Sequence, residues 1–81
     1  MKVNVMLFAV ARERVGASVV DVEVPSSATV HHVRAALVER YPALRDVVGH
    51  VRFAVNNEYA ADSMAISPEC EIAVIPPVSG G

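Results

Sequence analysis

Aromatic side chains are scarce in this chain. Its 81 residues include two Phe, two Tyr and no Trp, 5% in all, so the 53% hydrophobic content is overwhelmingly aliphatic. A core built mainly from Val, Ala, Leu and Ile favours strands, because β-branched side chains fit a pleated, half-buried surface. Cysteine is nearly missing as well. Cys70 stands alone, which excludes an internal disulfide and leads us to expect a reducing, cytoplasmic setting. Lys2 is the sole lysine, and seven basic residues against nine acidic ones leave a formal charge of −2 with no basic cluster. Nucleic-acid binding wants such a cluster, so no nucleic-acid partner is expected. No apolar run approaches the roughly 20 residues of a membrane span. The opening Met-Lys-Val-Asn-Val alternates as the apolar region of a signal peptide does not. No membrane partner is expected either. The length suits one domain with one core.

What is present is period-two alternation. In residues 2–8, Val3, Val5 and Leu7 point one way and Lys2, Asn4, Met6 and Phe8 the other, which predicts a strand with one buried face. Residues 9–16 carry Arg12, Glu13 and Arg14 and end in Gly16, and they read as a short irregular connection. Residues 18–24 alternate again, with Val20, Val22 and Val24 inward, so the two strands form a hairpin. Thr29 is placed to cap a helix through its hydroxyl. Val30, Val33, Leu37 and Tyr41 follow as one apolar stripe, and Pro42 stops the helix. Residues 51–55 predict a third strand, Asn56-Asn57 a hairpin turn, and 58–60 a short edge strand. Ser67-Pro68-Glu69 suits a turn with Pro second. Residues 70–75 predict the last strand, with Cys70, Ile72 and Val74 inward. The order β-β-α-β-β-β implies an α+β fold, one main helix on one face of a mixed sheet. The expected division is a domain over 1–75 and an extended tail over 76–81.

The tail, Pro76-Pro77-Val78-Ser79-Gly80-Gly81, is the first place to look for chemistry. Two prolines cannot donate to a sheet ladder, and two glycines carry no side chain that would block a narrow channel. With Gly usage of roughly 7%, a closing Gly-Gly is about a half-percent coincidence. A frayed end or a cloning remnant would also produce it. A working reading is a carboxylate on Gly81 that reaches into a partner's active site. Being a poor electrophile, that carboxylate would need activation to an acyl-adenylate before a sulfur or nitrogen nucleophile attacks it.

Phe8 and Ile75 are apolar where strand parity predicts a solvent-facing side chain. In a β-grasp (ubiquitin-like) sheet the first and last strands are parallel central neighbours. Phe8 and Ile75 would then lie side by side at the root of the tail with Met6 nearby, an apolar patch of the kind that marks partner sites. The alternative is that the 9–16 segment covers Phe8. Tyr59 either extends the patch or packs on the sheet.

Other candidates are weaker. Adjacent His31 and His32 diverge on a helix and cannot act as an i, i+4 metal pair, and His50 has no ligand at useful spacing. No metal site is expected. Cys70 reads as a small core residue, and Glu69 and Glu71 as solvated flanks. With no phosphate loop, Ser/His/Asp set or dinucleotide fingerprint, the chain is not expected to be an enzyme alone.

The closing Ile72-Ala73-Val74-Ile75-Pro76-Pro77-Val78-Ser79-Gly80-Gly81 resembles the small subunit of molybdopterin synthase, the MoaD family within the ThiS/MoaD-like sulfur carriers. Phe8-Ala9 with Arg12-Glu13 and Gly16, Ala28-Thr29-Val30, Tyr41-Pro42-Ala43-Leu44, and Val55-Asn56 with Glu58-Tyr59 are similar to further segments of that family. The chain departs from it at Glu69-Cys70-Glu71, where Gly-Asp-Glu is frequent, and at Asn57, often Gly. The resemblance implies a β-grasp fold. It implies that Gly81 is adenylated with ATP by a MoeB-like activating enzyme and converted to a thiocarboxylate. Pro76, Pro77, Val78, Ser79 and Gly80 would then insert into a MoaE-like large subunit, where the sulfur passes to cyclic pyranopterin monophosphate to build the molybdopterin dithiolene of molybdenum cofactor. It further implies a heterotetramer of two small and two large subunits, no resident cofactor, and a partner surface of Phe8, Tyr59 and Ile75. Thiamine- or cysteine-pathway carriers and ubiquitin-like modifiers share the chemistry of the tail and stand as alternatives.

Overall fold

A computed structural model of the chain describes residues 1–76. β1 (Lys2–Leu7) and β2 (Val19–Glu23) pair antiparallel, with Lys2 opposite Glu23 and Met6 opposite Val19. The predicted parity holds: Val3, Val5, Leu7, Val20, Val22 and Val24 are all buried. Between them the expected irregular connection is instead a helix, α1 (Ala9–Val15). Of its seven residues only Ala11 is fully buried, so it shows no apolar stripe in the sequence. Docking holds it in place: the Arg14 guanidinium donates to Asp46 at 2.7 Å and to the Ala43 carbonyl at 3.2 Å. Gly16 closes it at φ 82, a left-handed position, and donates its N–H to the Arg12 carbonyl at 2.8 Å. A glycine accepts that conformation without a Cβ clash.

α2 (Val30–Arg40) buries Val30, Val33 and Leu37 against the sheet, as its stripe predicts, with Tyr41 at its C-terminal cap. Thr29 is its N-cap, as expected, in a capping box with His32, and contacts from distant carbonyls add to it. The otherwise orphan amides of Val30 and His31 donate to the carbonyls of Met64 and Asp62, both at 3.0 Å. Thr29 contributes through His32, whose Nδ1 accepts the Thr29 backbone N–H at 3.0 Å and lies 3.1 Å from the Thr29 hydroxyl. Distant carbonyls thus satisfy donors that helix ends must place somewhere. After Pro42 a 3-10 turn (Pro42–Leu44) leads into a four-residue helix, α3 (Arg45–Val48), where no element was expected; together they bury Leu44, Val47 and Val48.

β3 (Arg52–Val55) and β4 (Glu58–Ala60) form the second hairpin, with Asn56 and Asn57 both at positive φ, 52 and 70. That double left-handed turn is what a two-residue hairpin loop requires. β5 (Ile72–Ile75) is shorter than the predicted 70–75. Asn56 is the reason at Glu71: its Oδ1 accepts the Glu71 N–H at 2.9 Å and its own N–H donates to the Glu71 carbonyl at 2.8 Å. Cys70 closes the Ser67-Pro68 turn by donating its N–H to the Ser67 carbonyl at 3.1 Å. It is half-buried at the edge of the core and not within it as its parity suggested.

The sheet order is β2-β1-β5-β3-β4, with β1 and β5 parallel and every other pairing antiparallel. The first and last strands are therefore neighbours, and the chain leaves the sheet from its central strand. The three helices and the face carrying Val3, Val5, Leu7, Phe53, Val55, Ile72 and Val74 enclose the aliphatic core, in which Phe53 is the largest fully buried side chain. The opposite face, with Asn4, Met6, Ala54, Ala73 and Ile75, carries no helix among the described residues. The site lies there.

Candidate functional site: the uncovered face of the sheet

The parallel register of β1 on β5 sets Met6 beside Ala73 and Leu7 beside Val74, and its continuation brings Phe8 alongside Ile75. Phe8 remains extended, φ −129 and ψ 157, and the chain turns away at Ala9, φ 51. The turn carries α1 to the other side of the sheet. Phe8 is left 42% exposed, so the 9–16 segment does not cover it. On the far side of β5, Ala54 faces Ala73 on one flank and Tyr59 on the other. Tyr59 is 59% exposed.

These registers build a hollow. Ala54 and Ala73 form a low floor because their side chains are single methyl groups. Met6, Phe8, Tyr59 and Ile75 rise around it, and Asn57 and Glu71 stand at the hairpin end. The hollow holds about 370 Å³. Phe8, Tyr59 and Ile75, three residues 16 to 67 positions apart in sequence, thus converge on one concavity where the last strand ends. Two contributors escaped the sequence reading. Val19, 53% exposed, faces Met6 across the ladder and extends the apolar surface; its phase with Asp21 and Glu23 was the available signal. The alanine floor had the same outward phase, but small residues give little contrast in a hydropathy pattern.

Arg52 borders the hollow at the end from which the tail departs. It pairs with Ile75 across the ladder, and its guanidinium carbon lies 4.5 Å from the centre of the Tyr59 ring. Away from this face, Arg34 organises the helix side. It makes a two-pronged contact with Asp62, Nη2 to Oδ1 at 2.9 Å and Nε to Oδ2 at 3.2 Å, donates to the carbonyls of Val48 and Val51, and stacks on Phe53. The hydrogen bond from Arg34 is the main cause holding the Asp62 carboxyl below the usual carboxylate range; the charges of Arg34 and His31 add to it and partial burial opposes it. This cluster ties the 60s loop to α2 and faces away from the hollow.

The hollow has no nucleophile with an adjoining base. Among the described residues no three His, Cys, Asp or Glu side chains converge as metal ligands. No described helix is long and apolar enough to cross a membrane. What the face can do is receive another surface. Pro76 begins the predicted tail at its rim; Pro77, Val78, Ser79, Gly80 and Gly81 lie outside the described residues.

A five-stranded mixed sheet with parallel central neighbours and one principal helix across it is a ubiquitin-like β-grasp fold. Within that class the chain belongs to the ThiS family, which matches it over residues 5–81. It is 38% identical over 81 residues to the molybdopterin synthase sulfur carrier subunit of Arabidopsis thaliana, covering all of this chain and 84% of that protein. It is 35% identical over 83 residues to the human protein of the same name, covering 99% and 94%. Among solved structures it resembles SAMP1, the small archaeal modifier protein 1 of Haloferax volcanii, with a TM-score of 0.86 and 36% identity over the full length of both chains.

Proposed function

We propose that this chain is the sulfur-carrier subunit of a molybdopterin synthase, working in the cytoplasm with Gly81 as its reactive end. The observation that carries the reading is the convergence of Phe8, Tyr59 and Ile75 around one uncovered hollow at the root of the Pro-Pro-Val-Ser-Gly-Gly segment. A carrier needs a docking face and a slender arm that starts beside it, and this chain combines the two.

In this scheme a MoeB-like enzyme joins the Gly81 carboxylate to the α-phosphorus of ATP, releasing pyrophosphate. Hydrosulfide delivered by the sulfur donor then attacks the acyl carbon and displaces AMP, which leaves a thiocarboxylate. The hollow seats the carrier on a MoaE-like large subunit in a heterotetramer. Pro76, Pro77, Val78, Ser79 and Gly80 thread the subunit's channel, and the sulfur passes to cyclic pyranopterin monophosphate. Water hydrolyses the acyl–sulfur bond once the sulfur is bonded to the substrate, so the sulfur stays there and Gly81 returns to a carboxylate. No side chain of the carrier need move a proton, which fits a hollow without an acid/base pair. ATP belongs to the activating enzyme, and the carrier holds no cofactor of its own.

The test is mass spectrometry after incubation with activating enzyme, ATP and a sulfur donor. An oxygen-to-sulfur mass increase localised to Gly81 is expected, and its absence would refute the reading. The likeness to SAMP1 favours a second use of the same end, isopeptide attachment to protein lysines. Conjugates found in cells and lost on deletion of Gly80-Gly81 would establish that use.

A further inference from the structure

We infer that Arg52 is a specificity-determining residue of the docking face, and that it reads a carboxylate on the partner surface. The inference rests on the proposed docking through this hollow.

Three observations support it. Arg52 stands on the rim, paired with Ile75 across the ladder, so a surface that covers the hollow as far as the end of the last strand passes over it. Among the described residues Arg52 makes no ion pair and no side-chain hydrogen bond. Arg14 and Arg34, in contrast, are engaged with Asp46 and Asp62. Its guanidinium carbon lies over the Tyr59 ring, 4.5 Å from the ring centre. A cation–π contact uses none of the guanidinium N–H donors in a hydrogen bond to a carboxylate, so those that grip a carboxylate with two parallel bonds stay available. The Tyr59 ring also limits the rotamers of Arg52, which lowers the ordering cost of binding.

The rest of the hollow is mainly apolar, with Asn57 and the acidic Glu71 at its opposite, hairpin end. A partner with its acid at the tail end and its apolar anchor over Ala54 and Ala73 matches this layout, and one docked the other way round sets its acid against Glu71. Arg52 therefore selects orientation as well as partner, and orientation decides whether the tail points into the partner's channel.

The test measures the affinity of the full chain for its purified large subunit across a salt series, with Arg52→Lys, Arg52→Gln, Arg52→Glu and Phe8→Asp as variants and thermal melting as a folding control. Arg52→Glu is expected to weaken binding by at least about tenfold at low salt, and Arg52→Gln to weaken it less and flatten its salt dependence. Arg52→Lys, which keeps the charge but not the planar fork, falls between parent and Arg52→Gln. Arg52→Gln and Arg52→Glu binding within about twofold of parent, with the parent's salt slope, would overturn the inference. If Phe8→Asp still abolished binding in that case, the docking face itself would stand. No binding by the parent would overturn both.

Discussion

At Ala9 the backbone takes φ 51, a left-handed position that costs an L-residue about 1–2 kcal/mol. The conformation turns α1 away from the sheet and leaves Phe8 exposed, so the strain is what opens the rim of the hollow. Glycine at position 9 removes the Cβ conflict but adds unfolded-state entropy of about 0.5–1 kcal/mol. The first effect is the larger, and Ala9→Gly is expected to stabilise the chain by up to about 1 kcal/mol in denaturant unfolding. Asn56 presents the opposite case. Its left-handed backbone suits asparagine, and its side chain satisfies the Glu71 N–H. Asn56→Ala loses both advantages and should cost about 1–3 kcal/mol by the same measurement. The turn at Asn56-Asn57 was legible because asparagine tolerates that region. Nothing local marked Ala9, since alanine is not a residue that announces a left-handed turn.

Among the elements, α2 was readable because its stripe of Val30, Val33 and Leu37 has helical period and Pro42 ends it. Its cap at Thr29 was readable as well, but the further acceptors of its first amides were not, because they are carbonyls some thirty residues away on the 60s loop. Arg34 lies off that stripe, where position alone gives it no partner, yet it joins α2 to Asp62 and to the carbonyls of Val48 and Val51. Removing it strands those carbonyls, so Arg34→Ala should destabilise by about 1–3 kcal/mol, visible as a lower denaturant midpoint.

The same contact predicts a pH response. The Asp62 carboxyl is held below its ordinary value in the folded chain. Its contribution to stability is therefore complete at pH values above the unfolded pKa of about 3.9, and it disappears as pH falls through the lower folded value. Asp62 is half-exposed, which limits the effect to about 1 kcal/mol or less. An Asp62→Asn variant should lose part of the parent's stability at neutral pH, and the difference between the two should shrink in acid unfolding titrations.

The whole molecule combines a closed face and an open one. Helices seal the aliphatic core on one side of the sheet. The other side keeps the hollow between Met6, Phe8, Tyr59 and Ile75 at the exit of the central strand. Phe8 is largely outside the core, so Phe8→Asp should leave the melting temperature nearly unchanged while reducing affinity for the large subunit by at least about tenfold. A destabilisation equal to that of a core truncation such as Leu37→Ala, about 2–5 kcal/mol, would instead mark Phe8 as structural.

The sequence alone determined the strand parities, the stripe of α2, the Asn-Asn turn and the misfit of Phe8 and Ile75 on their outward phases. All of these are consequences of short-range periodicity, in which each residue's neighbours two or four positions away define its environment. Tertiary structure alone decided that 9–15 and 45–48 are helical, that β5 starts at Ile72, and that Arg34 is structural while Arg52 is left on the rim. Those outcomes depend on contacts between residues far apart in the chain. Helices of four and seven residues have too few internal hydrogen bonds to offset nucleation, so docking rather than local propensity stabilises them. An arginine's role is likewise set by which carbonyl, carboxylate or ring the folded chain places within its reach.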